Sequence, residues 1–458
     1  MLAHLIVPKL LLCQLLLVAI SLAPFRSYAE AHPSTHTATL TYTLERAIQR
    51  SQEIDPWILK SQFQQESLRA QSVSRSSLPD PSVNFGVANL PVDSFDFDQE
   101  RMTQFTVGIT QMLPRGQTLA LTKTQFYRLS EVEAAAQKNR LAISEVAVSH
   151  LWLDVFKSQQ TTRMIQSDKH LFEYLIDVSE SSYAAGDGRT RQSDVVRAQL
   201  ELTKIEDQLL DSNQQNNRLL AELAGWLVDI HTQNWTEIDI TLEMPTLEIL
   251  DQNLLEQRDM TLLYSYLTGH SAIVQLDKKI AALATGVSLA KQSYKPQWGV
   301  NASYGYREDE PRGGDRADLF SLNVSVDLPL FTENRQDKQL QSAIANLEAV
   351  KTQRALSVRE LRSQFLAAVA SYKGLAQRIE LYKKRLLIQM TDQAEASLSA
   401  YTYEDGEFAQ AVRSRISQLN ARIELMRLEV ELQKTIVTLN YYLVAGQQPT
   451  VSNTGESG

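Results

Sequence analysis

Side chains able to do chemistry are few in this chain and poorly placed for catalysis. His150, His170, His231 and His270 are scattered and lack the spacing of a metal site. They read as surface or packing residues. His32 and His36 are close enough to share an ion, but they sit in a polar stretch that reads as a solvated tail. No glycine-rich loop ends in Gly-Lys-Ser or Gly-Lys-Thr, so no phosphate cradle of that type is present. Charges gather instead around two glycine turns. Gly186, Asp187 and Gly188 are followed by Asp194 and Arg197; Glu404, Asp405, Gly406 and Glu407 are followed by Arg413 and Arg415. Opposite charges on neighbouring helix ends can form ion pairs that a docking partner rearranges. The competing reading is a solvated helix end. No catalysis, cofactor or bound metal is expected.

The elements that position those turns are long helices. Gln117 to Ala185 holds no glycine or proline and is rich in good helix formers. One helix of that length spans roughly 100 Å. Pro114 precedes it and the Gly186–Gly188 turn ends it; a second helix is expected from Arg189 to Ala224. Leu330 to Asp405 is a matching stretch interrupted by Gly374, and Glu407 to Ala445 a last helix. In that last helix Ile416, Leu419, Ile423, Met426 and Val430 form one apolar seam, and Leu425, Leu428, Leu432 and Leu439 a second. Two seams call for a neighbour on each side, as in the wall of a tube. A buried helix in a bundle is the alternative.

Between the helices lie four alternating stretches. Val83, Phe85 and Val87 form the first, and Phe105, Val107 and Ile109 the second. Trp298, Val300, Ala302, Tyr304 and Tyr306 form the third, and Phe320, Leu322, Val324, Val326 and Leu328 the fourth. Period two predicts strands with one apolar and one small or polar face. The loops within each pair are charged (Asp93 to Glu100; Arg307 to Asp318). Such strands suit an outer-membrane barrel, with aromatics near its interfaces. Four strands cannot close around a pore, so the barrel must be shared between chains, and three chains would give twelve strands.

The landmarks repeat. Pro81 and Pro296, like Pro114 and Pro329, stand about 215 residues apart, a period too long for a solenoid unit. The reading is a duplicated helix, strand, strand, long helix, helix unit. Residues 1–31 read as a signal peptide, with Lys9 before the apolar run Leu10 to Ile20 and small residues at Ala29 and Ala31. Residues 32–227 read as the first repeat, with strands near 82–89 and 103–113 and a hairpin over 117–224. Residues 228–245 read as a linker. Residues 246–446 read as the second repeat, with strands near 297–306 and 319–328 and a hairpin over 330–445. Residues 447–458 read as a disordered tail. The only cysteine, Cys13, lies in the leader, so the mature chain is expected to hold no disulfide and no thiolate site. The net charge of −9, without a basic block, argues against a nucleic-acid partner.

The whole mature chain resembles the TolC-type outer-membrane efflux channels. The resemblance rests on the duplicated order, on Leu113-Pro114 and Leu328-Pro329 before the long helices, and on the tip motifs. Tyr183, Gly186 and Gly188, followed by Ser193-Asp194-Val195-Val196-Arg197-Ala198-Gln199, are similar to the family's first hairpin tip. Tyr403-Glu404-Asp405-Gly406 is similar to the second. The resemblance implies a mainly α fold with a small β part: a homotrimer whose twelve-stranded barrel continues into a long periplasmic helical barrel. It implies outer-membrane lipid, a periplasmic adaptor protein and an inner-membrane pump as partners. It also implies passive export of metal cations or drugs, with the charged tip residues acting as a gate. Leu78-Pro79-Asp80-Pro81 and Asn89-Leu90-Pro91-Val92 resemble most the branch working with heavy-metal or cation pumps of the resistance-nodulation-division type. The exit channel of a type I protein secretion system and a soluble periplasmic coiled-coil adaptor are the alternatives. One departure stands out. Where many members carry an acidic residue about two turns past the second tip glycine, this chain has Val412, Arg413 and Arg415. An acidic ring therefore does not carry over to the second half, whereas Asp194 keeps the acidic pattern in the first.

Overall fold

The structure is a computed structural model and describes residues 40–184, 192–229, 237–257, 259–310, 313–403 and 407–443. The expected leader and tail, His32, His36 and His231 lie outside the described residues. The chain is mostly helical with few strands. Its elements run β1 (Leu40–Tyr42), α1 (Leu44–Ile54), α2 (Pro56–Ser74), β2 (Ser82–Ala88), β3 (Gln104–Leu113), α3 (Thr118–Ala184), α4 (Gln192–Leu227) and β4 (Ile238–Ile240). Then follow α5 (Gln252–Gln257), α6 (Met260–Gly269), α7 (Ser271–Ala290), β5 (Gln297–Tyr306), β6 (Leu319–Asp327), α8 (Gln336–Leu381), α9 (Leu387–Tyr403) and α10 (Phe408–Leu443).

Local chemistry sets the breaks. Asp55 ends α1 and caps α2, its carboxylate accepting from the Trp57 N–H at 2.9 Å, with Pro56 at the first helical position where no donor is needed. Gly116 takes φ +47 between β3 and α3, and a Cβ there would strike Lys295 and Gln292, so this sharp turn requires glycine. Arg115 ties the turn to the sheet by an ion pair with Asp327 at the end of β6.

α3 is one uninterrupted helix of 67 residues, and most of its stability comes from what it packs against. Its first half lies against α2 and α7. Small buried side chains (Ser130, Ala135, Ser144, Ser61, Ala282) let these helices approach closely. Arg128 donates to the Ala281 carbonyl at 2.9 Å and to Thr285 Oγ1 at 2.7 Å. Further along, Val148, Trp152, Leu153 and Phe156 meet Leu219, Leu223, Met426 and Val430 in the largest core. The indole N–H of Trp152 donates to the Tyr42 carbonyl at 3.0 Å. That carbonyl belongs to β1, which pairs in parallel with β4. The stretch read as a linker therefore supplies a strand to the core.

Two other expectations change. The second long helix begins at Gln336 rather than at 330, leaving Leu330 and Phe331 exposed just below the sheet. Gly374 does not interrupt it: α8 passes straight through. An interior glycine costs only about 1 kcal/mol in a helix, and tertiary packing of α8 outweighs it. The irregularity is a π turn at Tyr382–Leu386.

Two imidazoles, His150 half-buried and His270 buried, tie helices together. His150, on α3, contacts the Lys434 carbonyl of α10 at 3.1 Å and Thr438 Oγ1 at 3.2 Å. Burial pulls it below the usual imidazole range, and the hydrogen bond to the Lys434 carbonyl only partly opposes this. His270 is fully buried, accepts from the Ala272 N–H at 3.3 Å to cap α7, and meets Tyr441 edge to face. Burial likewise lowers its pKa. Both groups bind protons less readily folded than unfolded, so their contribution is present above the unfolded value of about 6.5 and is lost as pH falls from there through the depressed folded values. Melting followed by helical circular dichroism should shift to lower temperature between about pH 7.5 and about pH 5.5. A His150→Gln/His270→Gln variant should show a flatter profile; an equal slope in the two proteins would refute this origin.

Candidate functional site

Two regions carry functional geometry: the four-stranded sheet and the far ends of the helices. The sheet has the order β2-β3-β5-β6, antiparallel throughout. Its register aligns the apolar positions across all four strands. Phe85, Val107, Tyr304 and Phe320 form one row; Val83, Ile109, Ala302 and Leu322 form the next; Leu113, Trp298 and Val326 stand at the helix end. These side chains are exposed rather than packed: Phe85 71%, Phe320 72%, Leu322 62%. Soluble proteins rarely present a contiguous apolar surface of this kind without a covering partner or lipid. Aromatic side chains mark both ends of the face, Trp298 at one and Tyr304 and Tyr306 at the other.

The opposite face is small and polar. Asn84 and Asn301 both donate to Thr110 Oγ1, at 3.2 and 2.7 Å, and Thr106 Oγ1 donates to the Gly86 carbonyl. Ser303, Ser321, Asn323 and Ser325 continue this surface. β2 and β6 each pair on one side only, leaving two open edges. Beyond the sheet, Arg316 of the 307–318 loop donates to the Asp98 and Glu100 carbonyls, and Arg101 pairs with Glu310 at 3.3 Å. The two charged loops are thereby joined.

At the other end, Gly186, Asp187, Gly188, Glu404, Asp405 and Gly406 lie outside the described residues. Asp194 falls in the first turn of α4 and Arg197 one turn further on, exposed. The Glu407 carbonyl accepts from the Gln410 N–H at 3.0 Å as α10 begins. Arg413 is exposed, its Nε donating to the Ala409 carbonyl of its own helix at 3.1 Å. Arg415 is half-buried and donates to Gln418 Oε1 at 2.7 Å, while Gln418 reaches across to Thr391 Oγ1 of α9 at 2.9 Å. Among the described residues, the polar partners of Arg413 and Arg415 are thus on α10 itself.

The ion pairs between helices involve residues that sequence reasoning missed. Arg422 of α10 pairs with the buried Asp168 of α3 at 3.2 Å, and Lys169 with Glu206 of α4 at 3.0 Å. Lys434 reaches Asp154 of α3 at 3.0 Å; burial pushes that carboxyl up, but bonds from Lys157 and Lys434 outweigh it and hold the pKa below the usual range. On the other side of α10, Glu424 meets Arg378 at 3.0 Å and Glu429 meets Lys383 at 2.6 Å. α10 is therefore held by charges on both flanks as well as by its apolar seams. Partners such as Asp168 and Arg422 are too distant in sequence for local spacing to reveal them. Among the described residues no group of three or more His, Cys, Asp or Glu side chains is placed to hold a metal, and no helix is long and apolar enough to cross a membrane.

Truncating Arg422 leaves the Asp168 carboxylate buried and unpaired, whereas Asp168→Asn leaves a hydrogen-bonding amide. Arg422→Ala should destabilise the helices by about 1–3 kcal/mol and Asp168→Asn by less, read as the shift in helical melting. Equal shifts for the two variants would count against a burial-dependent pair.

No protein-family model matches the chain, and no curated protein matches it. Solved structures do. The outer-membrane channel OprN is 17% identical, covers 89% of this chain and 91% of its own, and superposes with a TM-score of 0.70. The outer-membrane protein VceC of Vibrio cholerae is 14% identical, with coverage of 88% and 97% and a TM-score of 0.70. The CmeC outer-membrane channel of Campylobacter jejuni is 10% identical, with coverage of 88% and 86% and a TM-score of 0.70. Identities this low speak to architecture. Across nearly its whole length, the chain has the fold of the TolC-type outer-membrane channels that its sequence resembles.

Proposed function

We propose that this chain is the outer-membrane exit duct of a tripartite efflux system. Three copies join β6 of one to β2 of the next in a twelve-stranded barrel. The long hairpins continue as a periplasmic tube, and an inner-membrane pump with a periplasmic adaptor delivers the cargo at the tips. The observation that carries this reading is the sheet: one face apolar and exposed in register, the other small and polar, and both edges open.

The physics supports each part. Lipid accepts the apolar face, and a bilayer admits strands only in closed barrels. Strand directions alternate along β2-β3-β5-β6, so an edge-to-edge join keeps the antiparallel order. Two copies would give eight strands, whose interior side chains fill; three give a lumen. The order of elements in the two halves supports a duplication. The outer-membrane location of OprN, VceC and CmeC supports the same placement here. Export of metal cations or drugs through a resistance-nodulation-division pump rests on the sequence resemblance. So does the gate at Gly186, Asp187, Gly188, Asp194, Arg197, Asp405, Gly406, Glu407, Arg413 and Arg415.

A charge on the lipid face near the membrane midplane costs about 2–4 kcal/mol per chain. Leu322→Arg should abolish the heat-sensitive trimer in outer-membrane fractions. Asn323→Arg, on the opposite face, should leave the trimer intact and lower single-channel conductance. Equal tolerance of the two would overturn the assignment of faces. For the tips, charge removal at Arg413, Arg415 or Asp194 should raise conductance in planar bilayers; unchanged conductance in all three variants would sink the gate.

A further inference from the structure

An apolar groove lies where α6 crosses α8. Two cavities, of about 340 and about 400 Å³, flank Met260 and Leu263 there. Leu254, Phe365 and Val369 line the first, and Leu267 and Val358 the second. At the margin Met260 is 43% and Tyr264 58% exposed. Concave apolar surface of this kind marks a docking site. Its rim is cationic. Lys373 donates to the Leu255 carbonyl at 3.2 Å, and neither it nor Arg362 meets a carboxylate among the described residues. Asp259, also at the rim, caps α6 by accepting from the Thr261 and Leu262 N–H groups.

The end of α10 points at this groove. Arg378 pairs with Glu424 at 3.0 Å, and the Tyr442 hydroxyl donates to Gln364 Oε1 at 3.2 Å. The two helices are thus antiparallel, and a chain continuing past Leu443 heads toward Leu361 and Val358. Tyr442 and Leu443 are buried in the same core as Leu254, Leu263 and Phe365. Residues 444–458 follow and lie outside the described residues. Gly446 and Pro449 oppose continuation of the helix. Val444, Pro449 and Val451 are apolar, and Glu456 is the one charged side chain of the segment. Extended at about 3.3 Å per residue, the chain from Leu443 to Val451 reaches roughly 26 Å. Phe365 and Val358 stand only about 10 Å apart along α8, so the groove is within reach.

We infer that residues 444–458 are the strap that covers this groove in their own chain. Pro449 and Val451 enter the cavity between Leu267 and Val358, and Glu456 pairs with Arg362. The strap ties α6 to α8, so the inference stands apart from the channel reading. Residues 14–458 contain no cysteine, and an engineered pair therefore reports without background. In the full-length protein Tyr264→Cys/Val451→Cys should form a disulfide within one chain on mild oxidation. Tyr174→Cys/Val451→Cys, with the first cysteine exposed on α3, should not. Absence of the 264–451 disulfide would overturn the strap, and a disulfide only between chains would assign the groove to a second copy instead. Deleting residues 447–458 should speed amide exchange across α6 at least about threefold and leave the middle of α3 unchanged. Arg362→Glu should act in the same direction, and Arg362→Glu/Glu456→Arg should restore slow exchange. Unchanged α6 exchange in the deletion, or a folded swap variant as fast as Arg362→Glu, would refute the assignment.

Discussion

The apolar face of the four-stranded sheet lies exposed across all four strands, and much of the architecture follows from that. Burying a side chain the size of Phe320 or Leu322 is worth about 1.5–3 kcal/mol, so a full face left in water is a large unmet driving force. A hydrocarbon bilayer meets it, but forbids open strand edges, since an unsatisfied backbone group there costs several kcal/mol. In the proposed barrel β2 and β6 therefore need partners, and a further copy of the same sheet would supply them in the correct direction. The small and polar opposite face, with Asn84, Thr110 and Asn301 bonded to one another, suits a surface turned to water.

In the proposed duct the helices answer a second constraint, that of carrying this arrangement far from the membrane. A rod of 67 residues cannot be held by its own propensity. It is braced in stages: small side chains against α2 and α7 near the sheet, then the Trp152 core with the β1–β4 pair, then α4 and α10. α10 sits between α3 and the α8–α9 rod, with carboxylate–cation pairs on both flanks. Charge pairs of this kind add geometry more than stability where they are exposed. The Asp168–Arg422 pair is the exception, because losing Arg422 leaves the buried Asp168 carboxylate desolvated and unpaired.

Legibility in the sequence followed the range of the interactions. Period-two patterns such as Val83, Phe85 and Val87 expose a two-faced strand from neighbours alone. The glycine- and proline-free run before Ala185 similarly declares a long helix. The two seams of α10 required a neighbour on each side, and the structure supplies α3 and the α8–α9 rod within the same chain. The pairing of Leu40–Tyr42 with Ile238–Ile240 was hidden because three residues per strand leave no pattern. Gly374 misled because its local propensity was read without its packing. The true irregularity, at Tyr382–Leu386, contains no glycine or proline and shows only as a one-residue slip between Ile379 and Ala394. At the candidate gate, the sequence picked out Arg413 and Arg415 by charge, but not Asp168, Thr391 or Gln418, whose roles depend on a partner helix.

The central claim is that the open-edged sheet closes only in company, and that three copies close it. Native mass spectrometry of the protein released from outer membranes into mild detergent measures this directly. The account predicts a single dominant species with the mass of three mature chains. A stable, folded single chain, or an assembly of any other number, would contradict it.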